Sequence, residues 1–168
     1  DSGALNPNFV NYDIVKLTKD IAESVLSYVE INNVNLTFSS SIEEFIIICD
    51  PTFIERIVLN LLSNAIKFSK EKGNIDVNVY LKDKYVVLEV KDNGIGIKKG
   101  EITRVFEKGF TGTNGRKVGQ KSTGMGLYLC KKLCNKLGLR IELDSEENIG
   151  TEIRIAFPKS SFIQDAIE

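Results

Sequence analysis

The sequence predicts an α+β sandwich, and three observations predict it. Three stretches carry apolar residues at helical spacing, six shorter stretches read as strands, and the two kinds do not alternate in the regular βαβ order of a doubly wound sheet. A chain of 168 residues, 42% of them hydrophobic, is long enough for one domain with a sizeable core.

Residues 1–10, "DSGALNPNFV", show no periodicity and hold Gly3 and Pro7, which predicts a lead-in linker. From Asp13 to about Val29, residues Ile14, Leu17, Ile21, Val25 and Val29 recur at three- and four-residue spacing, which predicts one amphipathic helix. "NLTF" and "FIIIC" predict short strands on either side of a polar turn. Asp50-Pro51 then supplies a capping side chain followed by a proline suited to a first helical turn, and a second helix runs through "FIERIVLNLLSNAIKFS" to a stop near Gly73. Alternation at Ile75, Val77, Val79 and Leu81, and again at Val86, Leu88 and Val90, predicts a hairpin turning at "KDK". The next segment holds glycines at positions 94, 96, 100, 109, 112, 115 and 119, too many for more than a turn or two of helix near Ile102, and predicts a long functional loop. The third helix is expected from Gly124 to about Leu137 with Gly138 as its left-handed cap. "RIELDS" and "TEIRIAF", joined by "EENIG", close the fold as a strand pair.

Composition removes several function classes. The net charge of −1, with no basic run longer than a pair such as Arg116-Lys117, offers nucleic acid no electrostatic footprint. The chain has no histidine, which excludes Ser-His-Asp and Cys-His catalysis. Three cysteines, Cys49, Cys130 and Cys134, are an odd number that fits a reducing compartment; without histidine to complete a zinc site they read as buried structural thiols. No apolar run approaches the roughly 18 residues of a membrane span. Because the chain begins at Asp1 and its single methionine is Met125, it is expected to be a piece of a longer protein.

Three places carry candidate chemistry. Gly124 and Gly126 stand where a helix begins, so an anion could approach free backbone N–H groups at the positive end of the helix dipole. That dipole contributes only about 0.3–1 kcal/mol, so cations such as Arg116, Lys117 and Lys121 in the preceding loop would have to help. The same loop also reads as a mobile surface segment with solvated charges. On the second helix, Asn60, Asn64 and Lys67 share one face and interrupt an apolar run. Amide oxygens suit a hard cation and the ammonium suits a phosphate, although a plain solvated face has the same pattern. In "VKDNGIGI", Asp92 ends an apolar strand before a turn whose Gly94 and Gly96 keep the backbone close to whatever the carboxylate contacts. A buried carboxylate can accept from an exocyclic amine, and an ordinary turn at a strand end fits as well.

Taken in order, "NLLSNAIKF", "DNGIGI", "VFEKGF", "STGMGL" and "NIGTEIRIAF" resemble the N, G1, F, G2 and G3 motifs of the catalytic ATP-binding domain of bacterial sensor histidine kinases, within the superfamily shared with DNA gyrase. The resemblance covers nearly the whole chain. The lid sequence "GFTGTNGRKVGQKSTGMGLYLCKKL" is further similar to lids of sensor kinases that respond to cell-wall-active antimicrobial peptides.

The resemblance implies a Bergerat-type fold, with about three long helices packed on one face of a mixed, mainly antiparallel sheet. It implies a linker over residues 1–10, a catalytic domain over 11–160 with a lid at about 107–123, and a tail over 161–168. It implies ATP and Mg2+ as cofactors. Asn60 and Asn64 would place the metal, Lys67 would meet phosphate, and Phe68 would lie near the adenine. Asp92 would accept from the adenine amino group, assisted by Thr151 through water, with Gly94, Gly96 and Ile97 shaping the pocket. Thr123, Gly124, Met125, Gly126 and Leu127 would line the phosphates with backbone N–H groups, while Arg116 or Lys121 closes from the lid. Phe106 and Phe110 would anchor the lid base, Phe110 counting also among the nucleotide-site residues. Relatives that hydrolyse ATP carry a glutamate where this chain has Asn60, so phosphoryl transfer is expected rather than hydrolysis. The acceptor would be a histidine on a separate dimerisation domain of the same protein, which would then phosphorylate a response regulator. The implied domain is cytoplasmic and itself monomeric, and its parent is a homodimer in the bacterial membrane. Rival readings are a serine kinase of the anti-sigma type, a nucleotide-sensing module without transfer, and a domain that binds no nucleotide.

Overall fold

The computed structural model describes residues 6–112 and 126–159. The chain enters as a strand, β1 (Val10–Asp13), which starts at the last residue of the predicted linker. Asp13 caps α1 (Ile14–Ser24), its carboxylate accepting the Val15 N–H at 3.0 Å. Instead of the single first helix the sequence predicts, the chain breaks at Val25 and resumes as α2 (Leu26–Ile31). The cause is local. The Ser24 hydroxyl donates to the Ile21 carbonyl, the acceptor an unbroken helix would reserve for the Val25 N–H, which bonds Ala22 instead at 3.3 Å.

Strands β2 (Asn35–Ser40) and β3 (Ile46–Cys49) follow, and they join different sheets. Antiparallel pairing of β3 with β1 forms a small two-stranded sheet. Asp50 next caps α3 (Pro51–Lys67) through the N–H groups of Thr52 and Phe53, with Pro51 in the first turn. Its Oδ2 also accepts the Asn8 N–H at 2.7 Å, so one buried carboxylate holds both the helix and the incoming chain. Along α3 the residues Ile54, Ile57, Val58, Leu61, Leu62 and Ala65 are buried at the three- and four-residue spacing expected of a core-facing stripe.

Strands β4 (Asn74–Lys82) and β5 (Tyr85–Asp92) form the predicted hairpin, with Asp83 at positive φ in its turn. A 3-10 segment (Lys99–Arg104) stands near the predicted helical turn at Ile102. Helix α4 (Gly126–Leu137) ends as expected at Gly138, with φ 72° and the Leu139 N–H returning to the Cys134 carbonyl at 2.8 Å. Strands β6 (Arg140–Glu146) and β7 (Gly150–Pro158) complete a five-stranded sheet of order β2-β4-β5-β7-β6, in which β2 runs parallel to β4 and every other pair is antiparallel.

Period two places Ile75, Val77, Val79, Leu88, Val90, Ile153, Ile155 and Phe157 on one face of that sheet, where they meet α1, α3 and α4 in a single core. The opposite face is polar. There Arg154 is held among Asp144, Glu142 and Glu152. The fold is therefore the predicted sandwich, with α3 the longest of its helices at 17 residues and the first helix shorter than predicted. The three cysteines are buried and free, and burial pushes each thiol up to about 12, as structural thiols require.

Candidate functional site

One row of side chains crosses the end of the large sheet. Asp92 on β5 stands opposite Ile75 on β4 and Thr151 on β7, and Thr151 stands opposite Ser145 on β6. Directly opposed residues share a face, and Ile75 is fully buried under the helices. The row therefore lies on the helix-covered face, at its rim. Asp92 is half-buried and its Oδ1 accepts the Gly94 N–H at 2.8 Å, while the backbone N–H of Thr151, the residue opposite on β7, also favours the charged carboxylate. Burial raises its pKa to about 6 against the opposing pull of those two N–H groups. Among the described residues no cation pairs with it.

The glycines around Asp92 are required by the approach of one backbone to another. A Cβ on Gly94 would lie 2.3 Å from the Phe68 carbonyl oxygen, and on Gly96, at φ +67°, 2.1 Å from that of Glu146. Gly150 is equally tight, its Cβ position 2.0 Å from the Asp92 carbonyl oxygen. The closeness read from the sequence is thus first a closeness to the end of α3 and to the β6–β7 turn. Backbone bonds run the same way: Ile95 N–H to the Phe68 carbonyl at 3.1 Å, and Asn148 N–H to the Ile95 carbonyl at 2.7 Å. The Lys70 ammonium donates to the Asn148 carbonyl. The end of α3, the loop after β5 and the β6–β7 turn are locked into one junction.

Asn60, Asn64, Lys67 and Phe68 approach this junction along one side of α3. All four are partly buried, whereas Glu55, Arg56, Leu59 and Ser63 are exposed, so the face is a rim and not an open solvated surface. The Asn60 Nδ2 donates to the Arg56 carbonyl at 2.8 Å, and among the described residues its amide oxygen has no partner. The Asn64 amide has no side-chain partner among the described residues. The Lys67 ammonium sits over the Phe68 ring at 5.5 Å, and burial lowers its pKa.

Phe106 packs against the core beside buried Val105. Phe110 has another neighbour, its ring lying 4.7 Å from the Arg104 guanidinium. Lys108 reaches over the Tyr128 ring at 6.0 Å and ties this segment to the first turn of α4, where Gly126 and Leu127 lie partly buried. Among the described residues nothing lies within 4 Å of a Cβ added at Gly126. Arg116, Lys121, Thr123, Gly124 and Met125 lie outside the described residues, as does the expected lid beyond Gly112.

A cleft of about 640 Å³ wraps around the end of the sheet, lined by Asp76, Lys91, Asp144 and Glu152 of the polar face as well as by Asp92, Ser145, Gly150 and Thr151, so it does not lie under the helices alone. Ile97, half-buried, is drawn to the same corner by its N–H bond to Ser145. Ser145, Gly150, Asn148 and Lys70 were not singled out by sequence reasoning. Gly150 falls inside a quoted motif, but Ser145 is connected to Thr151 only through strand register.

The donor set suits a hard cation only in company with a nucleotide. Among the described residues no group of three acidic, histidine or cysteine side chains could enclose a metal. Two neutral amide oxygens bind magnesium only where phosphate oxygens complete its shell, which fits a nucleotide-borne ion. The half-buried carboxylate, which faces no cation among the described residues, fits a ligand carrying an amine.

Residues 49–161 match the family model described as histidine kinase-, DNA gyrase B-, and HSP90-like ATPase, and the chain belongs to that family. The sensor protein kinase GraS of Staphylococcus aureus is 33% identical over 146 residues, covering 87% of this chain and 39% of the relative. This chain therefore spans about two fifths of the length of the curated relatives it matches. Among solved structures, the nucleotide-free catalytic domain of histidine kinase ThkA has a TM-score of 0.78 at 24% identity, over 92% of this chain and 99% of that one. The mycobacterial sensor histidine kinase MprB gives 0.75 at 26% identity, over 90% and 97%.

Proposed function

We propose that this chain is the catalytic ATP-binding domain of a sensor histidine kinase, presenting ATP for γ-phosphoryl transfer to a histidine on a separate dimerisation domain of the same protein. One observation carries the reading: Asp92 is a half-buried carboxylate that accepts the Gly94 N–H and faces no cation among the described residues, an arrangement that costs stability unless a donor such as an exocyclic amine meets it.

The residues divide by chemistry. Asp92 accepts from the adenine amine, with Thr151 beside it and the loop of Gly94, Gly96 and Ile97 as the pocket floor. Phe68 lies against the base. Lys67, Gly126 and Leu127 take phosphate oxygens, joined by Arg116, Lys121, Thr123, Gly124 and Met125, while Asn60 and Asn64 hold the ion. Bound magnesium would supply charge neutralisation between phosphates. Catalysis by this chain is then positioning of the phosphate chain and exclusion of water, since the amide of Asn60 cannot take a proton from an attacking water and Asp92 is engaged with the base.

The expected downstream partner is a response regulator; ThkA, which shares the fold, is known in complex with the response regulator protein TrrA. No helix among the described residues is long and apolar enough to cross a membrane. We place the domain on the cytoplasmic side of a membrane-anchored homodimer, itself monomeric.

Calorimetric titration with ATP and magnesium tests the reading. The wild type binds, Asp92→Ala abolishes binding, and Asn64→Asp alters its magnesium dependence. A folded wild type that takes up no ATP would sink the proposal.

A further inference from the structure

We propose that Ser145 is a positioning residue of the base-binding half of the site, acting through Thr151 and Ile97 without touching the ligand. This rests on the nucleotide reading above. The Ser145 hydroxyl accepts the Ile97 N–H at 2.9 Å, donates to the Gly150 carbonyl at 2.9 Å, and lies 2.8 Å from the Thr151 hydroxyl. A hydroxyl has one proton and two lone pairs, so these three contacts use its whole capacity. None is left for a ligand.

What Ser145 fixes lies on both sides of the pocket. On one side is the Thr151 hydroxyl, next in the row to Asp92. On the other is Ile97, the far end of the loop that begins at Asp92 and is pinned earlier by Ile95 to the end of α3. Without the hydroxyl, the Ile97 N–H loses its acceptor and the Thr151 side chain loses the contact that sets its rotamer. The loss falls on the corner that recognises an amine. Asn60, Asn64 and Lys67, which serve the phosphates, are carried by α3 and have no bond to Ser145.

The test compares equilibrium binding of ATP, inosine triphosphate and inorganic tripolyphosphate, with magnesium at pH 8. Inosine triphosphate replaces the amine by an oxo group, and tripolyphosphate reads the phosphate half alone. Ser145→Ala is expected to weaken ATP binding by roughly 3- to 10-fold, the order of one neutral hydrogen bond. Its preference for ATP over inosine triphosphate contracts by the same factor, tripolyphosphate binding stays unchanged, and Ser145→Thr restores the preference. An unchanged preference, whether all affinities are kept or all fall together, overturns the assignment. Should Ser145→Ala not fold, Thr151→Val carries the test: it must contract the preference, and failure to do so overturns the proposal equally. A wild type that binds neither nucleotide overturns the nucleotide reading and this one with it. A wild type that discriminates, with a Ser145→Ala variant that discriminates as well, overturns this one alone.

Discussion

At the scale of single residues, Asp92 sets stability against function. Its pKa stands at about 6 in the fold because burial disfavours the charged form, while the unfolded chain titrates near the ordinary 3.8. The folded state therefore holds the proton more tightly, and this group's contribution to stability is lost as pH rises from about 4 through about 6. A shift of about two units corresponds to about 3 kcal/mol at most. Asp92→Asn is expected to be more stable than wild type at pH 8 by up to that amount in urea denaturation, with the difference shrinking below pH 4. Nucleotide affinity runs the other way. Because a protonated carboxyl accepts less well from an amine, wild-type ATP affinity should fall as pH drops below about 6, and Asp92→Asn should lack that slope. The sequence made the carboxylate visible through "DNGIGI", yet it could not show that Gly94, Gly96 and Gly150 are tight against other backbone segments. Those segments are 26, 50 and 58 positions distant in the chain: Phe68 from Gly94, Glu146 from Gly96 and Asp92 from Gly150.

At the scale of elements, α3 was legible almost in full, because its cap, its first-turn proline and its apolar stripe are all local signals. The first helix was legible only in part. Its apolar spacing continues through Val25, and periodicity carries no sign that the Ser24 hydroxyl would capture the Ile21 carbonyl. Strand β1 was invisible because four residues of edge strand beside a proline have no period, and its partner β3 lies some 36 positions on. Asp50 makes that pairing count. It caps the helix that carries Asn60, Asn64 and Lys67 while gripping the N–H of Asn8 on the entering chain. Asp50→Ala should destabilise the domain by about 2 kcal/mol, near the upper end for a lost cap, and Asp50→Asn by less. Urea midpoints measure both.

At the scale of the whole molecule, binding and transfer are separable. Mixing this chain and ATP with a detached helical domain that bears an acceptor histidine should yield an acid-labile, base-stable phosphohistidine. Acid-stable phosphoserine on a partner would instead support the anti-sigma type of kinase. By itself the sequence determined most of the elements, α3, the β4–β5 hairpin and the β6–β7 pair among them, since caps, periodicity and turn residues act within a few residues of one another. It also carried the five motifs on which the family resemblance rests. The tertiary structure alone decided that β2 joins the sheet in parallel beside β4, that β3 leaves it to pair with β1, and that Ser145 meets Thr151 and Ile97. Those outcomes depend on strand register and on contacts between distant segments, whose free energy comes from burying one common core and not from any local preference.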